Sequence, residues 1–68
     1  MIIDATGLAC PEPVILTKKA LATHPDVLIV IVDNVAAIEN VTRFAEHSKY
    51  SVKKEKDAEN CKLVLNKL

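Results

Sequence analysis

The longest hydrophobic run in the chain predicts a strand at the centre of a sheet. Residues 27–32 read Val-Leu-Ile-Val-Ile-Val, an apolar run rich in β-branched side chains. Such a run is typical of a strand that is covered on at least one face and sometimes on both. The strand follows His24-Pro25-Asp26, where Pro25 disfavours helical geometry at His24 and so ends any preceding helix.

Two segments carry the 3.6-residue periodicity of amphipathic helices. The first runs from Pro11 to about Thr23, with a proline at its first position, where a missing N–H has no consequence. The second follows Asp33-Asn34, whose side chains offer oxygens for an N-cap. The apolar face of the first helix comprises Val14, Leu16, Thr17, Ala20 and Leu21, and that of the second comprises Ala37, Ile38, Val41, Phe44, Ala45 and Ser48.

Three shorter segments complete the predicted sheet. Residues 1–5 form a first strand, and residues 50–55 and 61–66 alternate between apolar and polar side chains on either side of a turn at 57–60. The order β-α-β-α-β-β predicts an α/β (α+β) two-layer sandwich, a four-stranded mixed sheet with two helices on one face. With 68 residues the chain is predicted to be one domain.

Charge and composition argue against several classes of function. Nine basic residues balance nine acidic ones, with the lysines concentrated after residue 48 and the acids before it. Zero net charge and few aromatic residues argue against direct nucleic-acid binding. The start is too short for a signal peptide and no apolar run would span a bilayer, so we expect a cytoplasmic protein without membrane contact. The two cysteines and two histidines lack metal-ligand spacing, and we expect no metal and no cofactor.

The segment Cys10-Pro11-Glu12-Pro13 carries the predicted chemistry. Cys10 is placed at the N-cap of the first helix, where unpaired N–H groups and a partial positive charge favour a thiolate. Pro11 and Pro13 stiffen the first turn, and because Pro13 has no N–H, only the Glu12 N–H is left to stabilise the sulfur. Gly7 is expected to supply a turn with positive φ. We predict a modestly lowered thiol pKa.

The distance to the histidines argues against a Cys–His hydrolase. His24 follows Cys10 by a whole helix, roughly 20 Å at the usual rise of the α-helix, and His47 ends the second helix. Both are therefore predicted to lie at the edge of the sheet opposite Cys10, outside hydrogen-bond reach. A thiol without a built-in base is suited to chemistry in which sulfur accepts and donates another chalcogen.

Several further residues allow two interpretations. Cys61 is either a small buried hydrophobe or a resolving partner for Cys10. Asp33 and Asn34 share the Cys10 edge and either cap the second helix or have a functional role. Ile15 points away from the core near Cys10 and is either an isolated exposed side chain or a docking contact.

The motif Gly7-Leu8-Ala9-Cys10-Pro11-Glu12-Pro13 resembles the signature of the TusA/SirA-like sulfur-carrier family, and the resemblance covers essentially the whole chain. The stretches at 17–21, 32–34 and 39–45 look closer to the N-terminal domain of YedF-type selenium metabolism proteins. The resemblance implies a single TusA-like domain over residues 1–68, or the N-terminal domain of a longer protein that continues into a DsrE-like domain.

The same resemblance implies a sulfurtransferase-like function. Cys10 would hold a persulfide received from a cysteine desulfurase-type donor and pass it to an acceptor protein, with selenium as a variant cargo. Gly7, Pro11, Glu12 and Pro13 would support it. Two alternatives remain: a non-catalytic regulatory, RNA-binding or protein-binding module of the same fold, and a thiol-disulfide redox protein that uses Cys10 and Cys61.

Overall fold

The computed structural model describes residues 1–9 and 11–68, with only the backbone of Asp57 described. The elements are β1 (Ile2–Asp4), α1 (Glu12–Leu21), β2 (Val27–Val32), α2 (Val35–His47), β3 (Tyr50–Asp57) and β4 (Asn60–Lys67). Within these described residues no helix is long and apolar enough to cross a bilayer.

The four strands form one mixed sheet in the order β1-β2-β4-β3. Strand β1 pairs parallel to β2 in a register that places Ile3 beside Val30. Strand β4 pairs antiparallel with β2 and with β3, and it brings Cys61 beside Val32 at the carboxyl end of β2. The predicted fold, a two-layer β-α-β-α-β-β sandwich, is therefore confirmed.

The core lies between the helices and a single face of the sheet. Along β2 the side chains of Leu28, Val30 and Val32 are fully buried, whereas those between them are only half-buried. They pack against α1 and α2, whose buried residues include Thr17, Leu21, Val41 and Ala45. The unbroken apolar run of β2 thus has one covered face, and the other face stays open. Apolar side chains on the open face are Ile2, Val27, Ile29, Ile31 and Val64.

The element boundaries differ from the predicted ones by a few residues. Helix α1 ends at Leu21, and His24 adopts a left-handed conformation with φ 53°, which agrees with the predicted effect of Pro25. Strand β1 is shorter than predicted, while β3 and β4 are longer. The hairpin between β3 and β4 is correspondingly tight, since Asp57 pairs with Asn60 and only two residues lie between them.

Candidate functional site: the loop before the first helix

The loop of residues 5–9 begins with a turn that needs glycine. The Leu8 N–H donates to the Ala5 carbonyl at 3.4 Å, and Gly7 has φ +77°. A side chain at Gly7 would meet no neighbouring atom within 4 Å, so the requirement for glycine comes from its backbone conformation alone. The predicted positive φ of Gly7 is confirmed.

Two carboxylates hold this turn. One Asp33 oxygen accepts the Gly7 N–H at 2.7 Å, and one Asp4 oxygen accepts both the N–H and the hydroxyl of Thr6, at 3.0 and 2.6 Å. The pKa of Asp33 lies below its usual value, mainly because its carboxylate accepts the hydrogen bond from the Gly7 backbone. The pKa of Asp4 is also lowered, mainly by the hydrogen bond from the Thr6 hydroxyl. Both carboxylates are therefore ionised at neutral pH, and protonation weakens their hold only in acid.

The start of α1 lies one residue later than predicted. The first helical residue is Glu12, and Pro11 is the N-cap, with φ −99°, ψ 14° and no side-chain cap. The prediction that Cys10 is the N-cap residue is therefore wrong, because the chain makes a turn before the helix begins. Cys10 itself lies outside the described residues.

The predicted role of the Glu12 N–H, a hydrogen bond to the Cys10 sulfur, also concerns an atom outside the described residues. Among the described residues, the Glu12 N–H donates to the Ala9 carbonyl at 2.9 Å. The same hydrogen bond holds together the chain on the two sides of position 10. The start of α1 carries the partial positive charge of a helix N-terminus, which favours an anion close to it.

The two prolines differ in their surroundings. Pro11 is exposed, and its carbonyl accepts the Ile15 N–H at 3.0 Å. Pro13 is fully buried, and its carbonyl accepts the Thr17 hydroxyl at 2.8 Å inside the core. Pro13 therefore fixes the first turn of α1 to the core, while Pro11 and Glu12 face solvent.

A groove of about 370 Å³ lies between the two helices beside Pro11. Val14 and Phe44 give it apolar walls, and Arg43 and His47 contribute positive or titratable groups. His47 is thus closer to this segment than helix length alone predicts. The sequence did not reveal the groove, because i, i+4 spacing of Arg43 and His47 shows a shared helix face but not which helix that face meets.

The remaining candidate residues do not line this groove. Cys61 is a free thiol, 6% exposed, and lines a small cleft with Asn34 and Lys56 near the start of α2. The Asn34 side chain caps α2 by accepting the Ala37 N–H at 2.8 Å, as predicted. Ile15 is 44% exposed on α1, and no contact identifies a partner for it. Over the described part of the chain, no group of three metal-binding side chains occurs.

The structure is a small two-layer module, and the sequence Cys-Pro-x-Pro leads into its first helix. The family described as sulfurtransferase TusA matches residues 1–67, and the chain belongs to this family. It is 46% identical over 52 residues to a protein of Methanocaldococcus jannaschii provisionally named a sulfur carrier, an alignment that covers 74% of this chain and 69% of that protein.

A solved structure shows the same fold. The crystal structure of a SirA-like protein from Desulfitobacterium hafniense superimposes with a TM-score of 0.86 at 39% identity and covers 97% of this chain and 96% of that one. The predicted TusA/SirA-like family is therefore confirmed. The closer likeness to the YedF branch stays a prediction.

Proposed function

We propose that this protein is a sulfur carrier that holds a persulfide on Cys10 and relays it from a cysteine desulfurase-type donor to an acceptor protein. The observation that carries the proposal is the bracing of an exposed segment on both sides of position 10. Ala9, Pro11 and Glu12 are all exposed, while the Gly7 turn and the buried Pro13 fix the two ends. Membership of the TusA family supports the same function.

The transfer needs only a thiolate and a donor persulfide. The Cys10 thiolate attacks the terminal sulfur of the donor persulfide, a new S–S bond forms, and the donor's S–S bond breaks with its electron pair leaving on the donor thiolate. An acceptor thiolate then attacks the terminal sulfur on Cys10 and restores the Cys10 thiolate. Neither step changes the total number of S–S bonds, so no external oxidant or reductant enters.

The groove beside Pro11 gives the donor a surface to contact. Val14 and Phe44 offer apolar contact area, and Arg43 forms no ion pair with any described residue. Glu46 lies beside Arg43 on α2 but does not line the groove. We propose that the donor protein presents an apolar side chain flanked by carboxylates to this groove, since this surface is complementary in polarity and charge.

The test is persulfide formation on Cys10. The protein is incubated with cysteine and a cysteine desulfurase, and intact mass with peptide mapping locates any added sulfur. We expect the adduct in the wild type and in Cys61→Ser, and none in Cys10→Ser. If Cys61→Ser abolishes loading while Cys10→Ser retains it, the carrier proposal is wrong.

The same experiment separates the remaining alternatives. A disulfide between Cys10 and Cys61 during turnover, lost in Cys61→Ser together with activity, would instead support a thiol-disulfide redox protein. Supplying a selenium donor in place of cysteine tests the cargo predicted from the YedF likeness, and a selenium adduct on Cys10 that outcompetes sulfur would support it. A DsrE-like partner domain stays a prediction.

A further inference from the structure

The carboxylate of Asp33 connects the loop before Cys10 to the end of the central strand. Asp33 follows β2 directly, and its Oδ2 accepts the Gly7 N–H at 2.7 Å across a separation of 26 residues. Among the described residues, the loop of residues 5–9 makes one other hydrogen bond to a distant part of the chain, from the Ala5 N–H to the Ile31 carbonyl at 2.8 Å. Asp33 is therefore the contact that holds the loop beyond the last paired residue of β1.

Asp33 is itself held by the start of α2. Its other oxygen, Oδ1, accepts a hydrogen bond from the Asn34 side-chain amide at 3.1 Å. The oxygen of that amide accepts the Ala37 N–H at 2.8 Å and so caps the helix. A continuous series of hydrogen bonds thus runs from the first turn of α2 through Asn34 and Asp33 to Gly7, three residues before the thiol.

We propose that Asp33 is a positioning residue for sulfur transfer: through Gly7 it holds the loop of residues 5–9 so that Cys10 meets its protein partners in one orientation. This inference rests on the proposed carrier function. Asp33 takes no part in bond making or breaking. It acts on the geometry of the encounter, where a misplacement of about 1 Å of a reacting group can lower a rate by about a hundredfold.

The expected effect depends on the size of the sulfur donor. A protein donor must dock and present its persulfide at a fixed angle, so its rate depends on how the loop is held. A small electrophile such as iodoacetamide approaches the thiol from many directions and does not need that orientation. Loss of the Asp33–Gly7 hydrogen bond should therefore slow transfer from the protein donor much more than alkylation.

Two substitutions of Asp33 remove its negative charge but differ in whether they keep a hydrogen-bond acceptor. Asp33→Ala removes the acceptor, whereas Asp33→Asn keeps one oxygen that can accept the Gly7 N–H. We expect persulfide loading by a cysteine desulfurase to fall about tenfold or more in Asp33→Ala and to stay within about threefold of wild type in Asp33→Asn. Asp26→Ala removes the same charge at the opposite end of β2 and should load like wild type.

Two further measurements exclude a general structural effect. Thermal unfolding identifies variants that do not fold, and only folded ones are compared. The pH dependence of alkylation gives the Cys10 thiol pKa, which should agree between the Ala and Asn variants because both lack the same charge. A folded Asp33→Ala that loads as fast as wild type overturns the proposal. So does an Asp33→Asn as impaired as Asp33→Ala, because the charge would then be the cause.

Failure of the carrier function itself gives a different result. If the wild type accepts sulfur from no donor, the proposed function is wrong and rates of transfer cannot be compared. The exchange of the Gly7 and Leu8 amide protons with solvent, measured by NMR on the same variants, then decides whether Asp33 holds the loop. Faster exchange in Asp33→Ala but not in Asp33→Asn supports the holding role, and equal exchange in all three proteins overturns it.

Discussion

Two threonines, one on each helix, differ in whether their buried hydroxyl has a partner. The Thr17 hydroxyl, in the core under α1, donates to the Pro13 carbonyl at 2.8 Å. The Thr42 hydroxyl on α2 is buried and makes no hydrogen bond to any residue that the structure describes. A buried hydroxyl without a partner costs about 1–3 kcal/mol, whereas a satisfied one contributes about 0.5–1.5 kcal/mol.

Valine substitutions at these positions should therefore have opposite effects. Thr42→Val removes an unsatisfied polar atom at nearly constant volume, and we expect the free energy of unfolding to rise by about 1 kcal/mol. Thr17→Val removes the hydrogen bond to Pro13, and we expect a fall of about 1 kcal/mol. Urea unfolding of both variants measures the difference. Destabilisation by Thr42→Val would show that its hydroxyl has a partner in solution.

At the scale of single residues, the sequence predicted local backbone features better than hydrogen bonds between distant residues. The φ of Gly7 and the N-cap of Asn34 follow from local rules about backbone conformation and short polar side chains, and both are confirmed. The hydrogen bond from the Glu12 N–H to the Ala9 carbonyl was not predicted, because a turn just before a helix has no distinct sequence signal here. The Asp33–Gly7 bond spans 26 residues and has no local signal at all.

At the scale of elements, the two-residue hairpin between β3 and β4 contains a strained residue. Ala58 has φ 53°, a left-handed conformation that favours glycine. For a residue with a Cβ this conformation costs roughly 1–2 kcal/mol. Neighbouring ladder pairs from Tyr50 to Asp57 fix the register of the hairpin, so the turn cannot relax by shifting one residue.

Glycine at this turn should stabilise the protein. Ala58→Gly relieves the strain but gives the unfolded chain more freedom, which offsets about 0.4–1 kcal/mol, so we expect a net gain of about 0.5–1 kcal/mol. The matched control is Ala36→Gly on the exposed surface of α2, where the same change should cost about 0.5–1 kcal/mol. Calorimetry compares the two. A melting temperature that falls equally in both would mean that Ala58 is not strained.

The elements themselves were predictable because each has its own hydrophobic period. The apolar spacing of α2 places Ala37, Val41 and Ala45 in the core, as found. The apolar run of β2 could not show whether one or two faces are covered, since every side chain in it is hydrophobic whichever way it points. Boundaries shifted where hydrogen bonds outside the periodic segment decide the first or last residue, as at Glu12.

At the scale of the molecule, the described part of the proposed functional surface lies at the carboxyl end of β2. The loop of residues 5–9 and the start of α2 meet there, linked through Asp33. The helix groove continues this surface on the side of Pro11, with Arg43 as its cation. The open face of the sheet, where Lys62 lies between Ile31 of β2 and Glu55 of β3, is separated from it by the thickness of the sheet.

Charge reversal in the groove tests whether the donor docks there. In Arg43→Glu a carboxylate meets the proposed acidic donor surface, so we expect the second-order rate of persulfide loading to fall about tenfold at low salt, with the deficit shrinking as salt is raised. The rate at saturating donor should change little, because Arg43 is assigned to encounter and not to chemistry. Lys62→Glu makes the same charge change on the open sheet face, opposite Glu55, and as long as thermal unfolding shows it folded it should load like wild type, since that face lies away from Pro11. If the loading rate falls equally in both variants, the cause is the overall charge of the protein and not the groove. If it falls only in Lys62→Glu, the donor docks on the open face of the sheet.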